Sequence, residues 1–338
     1  MRTTGRLARP SFLFLWLWLA LLPLGLVDCA ATGHGRGAPE GYARGLDLAH
    51  AGQHEAALAQ YDAALAQNPA FAPAWLARAE SRLALEQVKP GLDDLDHALT
   101  LAPDDARALG LRAGLLRTLS RWDAAARDYA RLGTLEPAVE EWPLGEGFCR
   151  SQSGDWPGAA AAYARAAALA PDDPWAQGGL AANLALDSRC TEALAPFDRV
   201  VALAPDSPAA HMGRGVCLAS LGRTADAEAD FSRVLELAPP QDPQYAEALF
   251  QRAEARAALG RTADAAHDYA AILALDPERT AAARGEMLEP RRLAELLRKA
   301  VTAQGAAAGG MLPLLRCFAA HQLDKALPGC RQLLDNPR

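Results

Sequence analysis

Six prolines, Pro69, Pro103, Pro137, Pro171, Pro205 and Pro239, follow one another at intervals of 34 residues, and Pro277 comes after 38. A recurrence this strict, at a period between 20 and 50 residues, restricts the chain to a repeat architecture in which each unit buries its apolar face only by stacking on its neighbours. Each proline closes a run of helix-forming residues, as in AEADFSRVLELAP, which ends at Pro239. Hydrophobic residues make up 51% of the chain but aromatics only 6%. Much of the difference is alanine, the best helix former, which also lets helices approach closely. Few β-branched residues are present, so strands are not expected. The expectation is an all-α fold of thin stacked layers.

Within each period the same residue types return in phase. A Gly or Ala such as Gly45, Ala79, Ala113, Gly147, Ala181, Gly215 or Ala253 falls on a first helix. On the second helix an alanine precedes an aromatic by four residues: Ala57 and Tyr61, Ala159 and Tyr163, Ala193 and Phe197, Ala227 and Phe231, Ala265 and Tyr269. The small residues let two backbones meet and the ring fills the space beside the contact. The proline cannot continue the second helix. Glycines Gly52, Gly154, Gly222 and Gly260 mark the turns inside the pairs, and LGRTADA recurs at Leu221 and Leu259.

This pattern resembles the tetratricopeptide repeat, a pair of antiparallel helices. The resemblance spans residues 38–279 and implies a right-handed α-solenoid of seven to eight helix pairs. Three departures stand out. Gly91, preceded by Pro90, occupies a place where alanine is expected. Pro143 in EEWP is expected to shorten or shift the first helix of its pair. QDPQ, from Gln241 to Gln244, is expected to lengthen the loop before the seventh pair.

The ends differ from the array. Arg2, Arg6 and Arg9 precede a 17-residue apolar run, Ser11 to Val27, and then VDCAA. This is the layout of a secretory signal, with cleavage before Ala30 or after Ala31. Retention as a membrane anchor and lipidation at Cys29 are the alternatives, although Asp28 departs from the small residue a lipoprotein box wants before its cysteine. Each outcome places the rest of the chain outside the cytoplasm, in the periplasm or secreted. Residues 32–37 read as a flexible linker. Residues 280–338 read as a helical cap containing a degenerate repeat, since a terminal repeat has one face toward water. Residues 32–277 carry 21 basic and 34 acidic side chains, a net of −13, whereas residues 278–338 carry 10 and 6, a net of +4.

Six cysteines are too few for a disulfide framework in a chain of 338 residues. Cys317 and Cys330 fall on the two helices of the suspected last repeat, where antiparallel packing brings Cα atoms within bridging range. They are read either as a disulfide or as two buried thiols. A Cys190–Cys217 bridge ranks second, and Cys149 is then left over. No enzyme motif is present: there is no G-x-S-x-G, H-E-x-x-H or G-x-x-x-x-G-K-[ST]. His50 and His54 straddle the turn at Gly52, so no metal site is expected there. Glu140 and Glu141 read as solvated residues at a helix start, and Asp93, Asp94 and Asp96 as an exposed helix face. Neither a cofactor nor catalysis is expected, and the acidic balance argues against nucleic acid as a partner.

The resemblance implies a protein or peptide partner, held on the concave face of the first helices. The corresponding positions include Tyr42, Leu46, Leu76, Glu80, Arg117, Phe148, Met212, Phe250 and Glu254, with Gly110, Gly114, Leu144, Gly178, Ala182 and Val216 between them. Some members of that family hold a terminal carboxylate with Lys, Arg and Asn on successive first helices. This set has one basic residue and no asparagine, so such a clamp is not expected. An apolar groove suits a hydrophobic peptide or an amphipathic helix. The expected role is therefore an exported, non-catalytic scaffold or adaptor. The alternative is a membrane-tethered accessory or regulatory subunit of an envelope enzyme or assembly complex.

Overall fold

The computed structural model describes residues 39–275, together with Pro313, Leu315 and Arg316. Among the described residues there are fourteen α-helices and no strand. They form seven pairs: α1 (Tyr42–His50) with α2 (His54–Gln67), α3 (Ala72–Ala84) with α4 (Val88–Leu101), α5 (Ala106–Thr118) with α6 (Trp122–Leu135), and α7 (Glu141–Ser153) with α8 (Trp156–Leu169). The chain continues with α9 (Pro174–Leu186) and α10 (Cys190–Leu203), α11 (Pro208–Ser220) and α12 (Thr224–Leu237), then α13 (Pro243–Ala258) and α14 (Thr262–Leu275). Consecutive helices pack on one another throughout, which makes an all-α solenoid.

The chain reverses by the same device in every pair. Residue 52, 86, 120, 154, 188, 222 or 260 turns into the left-handed region, and the next residue donates its N–H to a carbonyl five residues back, as Asp155 does to Arg150 at 2.9 Å. This satisfies orphan carbonyls at the helix end. Four of the seven turning residues are glycine; Glu86, Ser120 and Ser188 adopt the same conformation with a side chain, at φ of 59°, 56° and 61°. Each in-phase proline immediately follows the cap of a second helix. Four of the seven first helices open on Asp105, Asp173, Ser207 and Asp242, whose side chains accept N–H groups of the first turn.

Two of the expected irregularities resolve into small adjustments. Pro143 sits in the first turn of α7, where its missing N–H costs nothing. Helix α7 keeps the 13 residues of its counterparts but begins at Glu141, one residue later than strict phase. The insertion before the seventh pair goes mostly into helix: α13 has 16 residues, and only one residue is added to the loop. The expected loop extension is corrected accordingly, because Pro243 and Asp242 start the helix early.

Rings pack into gaps left by glycine. A Cβ on Gly147 would come within 2.8 Å of the Tyr163 ring, and one on Gly179, in the next pair, would strike the opposite edge of the same ring. Tyr163 thereby joins α7, α8 and α9.

Charge also holds the array together. Arg78 on α3 donates to both oxygens of Asp94 on α4, at 3.0 and 2.8 Å, and reaches back to Asp62 on α2 at 2.5 Å. Arg112 does the same with Asp128 and Asp96, and Arg214 with Asp230 and Asp198. Arg252 holds Asp268 and reaches back to Ser232. Each of these arginines clamps its own second helix to that of the preceding pair. Asp94, Asp128, Asp230 and Asp268 are buried. Asp94, expected on a solvated face, is thus corrected to a buried position; it faces α3, where Arg78 and Arg82 supply the donors that a buried carboxylate requires. The clamp stops in the centre. In the fourth pair Glu146 takes the arginine's place and pairs with Arg150 at 2.8 Å and with Arg165. In the fifth, Leu180 and Pro196 occupy both places.

Candidate functional site

Neighbouring first helices touch directly, α7 with α9, α9 with α11 and α11 with α13, and no two second helices do so to the same extent. The first helices are therefore the tighter, inner wall of the stack, and their outward side is the concave face. One row on that face runs through Leu46, Glu80, Gly114, Phe148, Ala182, Val216 and Glu254. A second lies one helical turn earlier: Tyr42, Leu76, Gly110, Leu144, Gly178, Met212 and Phe250.

Ion pairs lie on either side of the middle of the face. Glu80 accepts from Arg107 of the next first helix at 2.6 Å. Burial pushes the Glu80 carboxyl above the ordinary range, and Arg107 opposes that rise. On the other side Arg316 holds both oxygens of Glu254, each at 2.6 Å, and Leu315 beside it is fully buried. Tyr269 donates its hydroxyl to the same carboxylate. Burial is the first cause that pushes the Tyr269 hydroxyl upward.

The middle is apolar and open. Phe148 is 39% exposed, Val216 40% and Trp175 82%. Phe148 and Trp175 are 27 residues apart, the separation of Glu80 and Arg107, so they occupy the positions of that pair two repeats further along. The ring of Phe148 meets Trp122 edge-on at 5.9 Å. Between the large residues lie glycines that packing does not demand. A Cβ on Gly114 would find nothing within 4 Å, and one on Gly110 or Gly178 nothing nearer than 3.9 Å. These three positions leave space on the face, in contrast to Gly147 and Gly179.

The anticipated groove residues divide accordingly. Phe148 is presented to solvent. Arg117 is exposed too, close enough to Tyr129 to oppose the burial that raises that hydroxyl. Tyr42, Leu46 and Met212 are half-buried; Tyr42 stacks edge-on against Phe71 at 5.0 Å, and Met212 bridges two core clusters. Leu76 and Phe250 are buried, Phe250 against Tyr269 at 5.7 Å. They are taken up in packing instead of presenting a surface, Leu76 in the core cluster with Leu92 and Leu95 of α4 and Phe250 against the ring of α14 in its own pair. Trp175 was not anticipated. Its signal in the sequence is its phase, since it stands where Arg107 stands two repeats earlier.

Other chemistry is sparse. Among the described residues no group of His, Cys, Asp and Glu could hold a metal ion, and no helix is long and apolar enough to cross a membrane. A hollow of about 270 Å³ opens between α10, α11 and α12, but Arg214, Arg223, Asp198, Asp226 and Asp230 in its lining are already paired with one another. Cys190 and Cys217 form a disulfide with Cα atoms 4.9 Å apart. Among the described residues, then, the bridge ranked second from sequence is formed. Cys149 is a buried free thiol, and burial pushes it up to about 11. Cys29, Cys317 and Cys330 lie outside the described residues, as do the N-terminal segment and nearly all of the C-terminal one.

Family models of the tetratricopeptide repeat match residues 150–208, 180–243 and 247–279. Those residues are tetratricopeptide repeats. The chain's fold is similar to that of the C-terminal part of a tetratricopeptide repeat-containing protein from Cytophaga hutchinsonii, with 16% identity, 70% of this chain and 95% of that one covered, and a TM-score of 0.51. YrrB, described as a tetratricopeptide repeat protein with an unusual peptide-binding site, aligns at 18% identity over 56% of this chain and 96% of its own, with a TM-score of 0.48. A tetratricopeptide repeat protein from Parabacteroides merdae aligns at 18% identity over 78% and 98%, with a TM-score of 0.41. Comparison with curated protein sequences produced no match. Tetratricopeptide repeat proteins bind protein or peptide partners and are generally non-catalytic scaffolds.

Proposed function

We propose that this chain is an exported, non-catalytic scaffold that holds a partner protein or peptide against the concave face of its first helices. The observation that carries the reading is the open apolar stretch in the middle of that face. Phe148, Trp175 and Val216 stand exposed around Gly110, Gly114 and Gly178, where the fold itself requires no glycine. Large exposed rings beside space for a ligand side chain are the usual centre of an interface. An apolar or amphipathic segment fits, because its side chains fill the gaps while Glu80–Arg107 and Glu254–Arg316 bound the stretch with charge already neutralised. Export is supported by the basic and apolar N-terminal sequence and by the Cys190–Cys217 disulfide, a bond that persists in oxidising compartments.

The test is crosslinking and partner recovery on intact cells, with the groove altered in two opposite ways. Trp175→Ala removes an anchor and is expected to weaken binding by about 2 kcal/mol, roughly thirtyfold. Gly114→Leu and Gly178→Leu fill the vacant places and are expected to block it while leaving the fold intact. Undiminished recovery with all three variants would remove the groove from consideration. The mass of the mature N-terminus separates a free scaffold, cleaved near Ala31, from a tethered accessory subunit that retains Met1 or carries lipid on Cys29.

A further inference from the structure

Helix α10 lacks the arginine clamp of its own pair. Pro196 lies inside it, removing a backbone donor and crowding the preceding turn. Within its own pair Leu180 stands in the arginine's place and Pro196 in the aspartate's. Its one polar tie of that kind runs forward, from Asp198 to Arg214 at 2.8 Å, and Asp198 is 64% exposed. What holds its first turn against α11 is the Cys190–Cys217 disulfide.

The equivalent places at other junctions differ in size, Thr224 with Ala255 being small at the next one. At the two preceding junctions they are occupied by Trp122 with Cys149 and by Trp156 with Asn183. At the first of these Trp122 packs against the cluster that contains Cys149. Two thiols are much smaller than a tryptophan and its neighbour. Once reduced, Cys190 and Cys217 leave that junction with neither a ring nor a covalent link. Cys217 is fully buried and Cys190 half-buried, so Cys190 is the sulfur a reductant meets. Cys217 directly follows Val216, which belongs to the apolar stretch of the concave face.

We propose that Cys190–Cys217 is a redox-operated fastener of α10, opened by a dithiol, that controls the alignment of α9 and its Trp175 with α11 and its Val216. One thiolate of the dithiol attacks Sγ of Cys190. The Cys190–Cys217 bond breaks, and Cys217 leaves as a thiolate that takes a proton. The second thiolate of the reductant then attacks the mixed disulfide and releases Cys190, which is protonated in turn. Two electrons and two protons pass to the protein and the dithiol ends as a disulfide. Reoxidation reverses the sequence.

The experiment is hydrogen exchange by mass spectrometry on the full chain, before and after dithiothreitol and again after reoxidation. Exchange in peptides of α9 and α10 is expected to rise at least about tenfold on reduction and to return on reoxidation, with α3 to α6 and α12 to α14 unchanged. A uniform rise along the array overturns the proposal, as does no change. Free thiols at Cys190 and Cys217 in the air-oxidised protein would do the same. The double variant Cys190→Ser, Cys217→Ser is expected to show the reduced pattern permanently and to ignore dithiothreitol. If its exchange still responds to reductant, another cysteine carries the effect and the assignment fails.

Discussion

The flanking repeats and the central ones solve the same packing problem differently. In the second, third, sixth and seventh pairs an arginine on the first helix grips a buried aspartate on the second. In the fourth the charges are reversed, and in the fifth they are gone. The centre is held by alanine contacts, by Tyr163 between Gly147 and Gly179, and by one disulfide. Repeats of one backbone design therefore do not need one chemistry. The exposed Phe148 and Trp175 lie on the repeats that lack the arginine–aspartate clamp.

The largest effect should come from cutting a clamp. Arg112→Ala strands the buried Asp128 and is expected to cost about 3–5 kcal/mol, read as a lower urea midpoint. The double change Arg112→Leu, Asp128→Ala imitates the centre, and replacing both partners should cost far less than removing one. If the double variant is as unstable as the single, flank and centre are not interchangeable solutions and the comparison breaks. Next in size, Gly147→Ala is expected to lose about 1–3 kcal/mol as its methyl meets Tyr163. The same change at Gly114, in open space, should gain up to about 1 kcal/mol from helix propensity. Thermal unfolding of the two variants should thus move in opposite directions.

A smaller gain is expected at the turns. Ser120→Gly in the flank and Ser188→Gly in the centre each relieve a side chain held at positive φ, worth about 1 kcal/mol. Unequal gains would show that turn strain differs between the two regions. The smallest effect concerns Cys149. Burial raises its thiol to about 11, so its contribution to stability is fully present below the unfolded thiol value and fades as pH rises through about 11. Asp155 shifts the other way: the Arg150 bond first, then the Gly158 N–H, lower its carboxyl. Its contribution is present above the unfolded value and is lost in acid. Alkylation of native Cys149 should stay slow until the pH approaches 11, and fast labelling at neutral pH would contradict its burial.

Much of the fold is legible because period carries it. The prolines, the turn glycines and the alanine–aromatic spacing recur in phase, and each constrains backbone geometry locally. Asp94 was misread because a solvated and a buried aspartate look alike in isolation. The distinguishing signal is an arginine 16 residues upstream, repeated at Arg78, Arg112, Arg214 and Arg252. Leu76 and Phe250 share phase with Met212, yet only neighbouring side chains decide which of these faces solvent.

By itself, then, the sequence determined the pairing of helices and the places where the chain reverses. These depend on residues close together in the chain. The tertiary structure alone decided which cysteines meet, which aspartates are buried and which glycines stand over empty space. Those outcomes depend on side chains from different repeats competing for one volume, and the period, identical in every repeat, cannot distinguish among them.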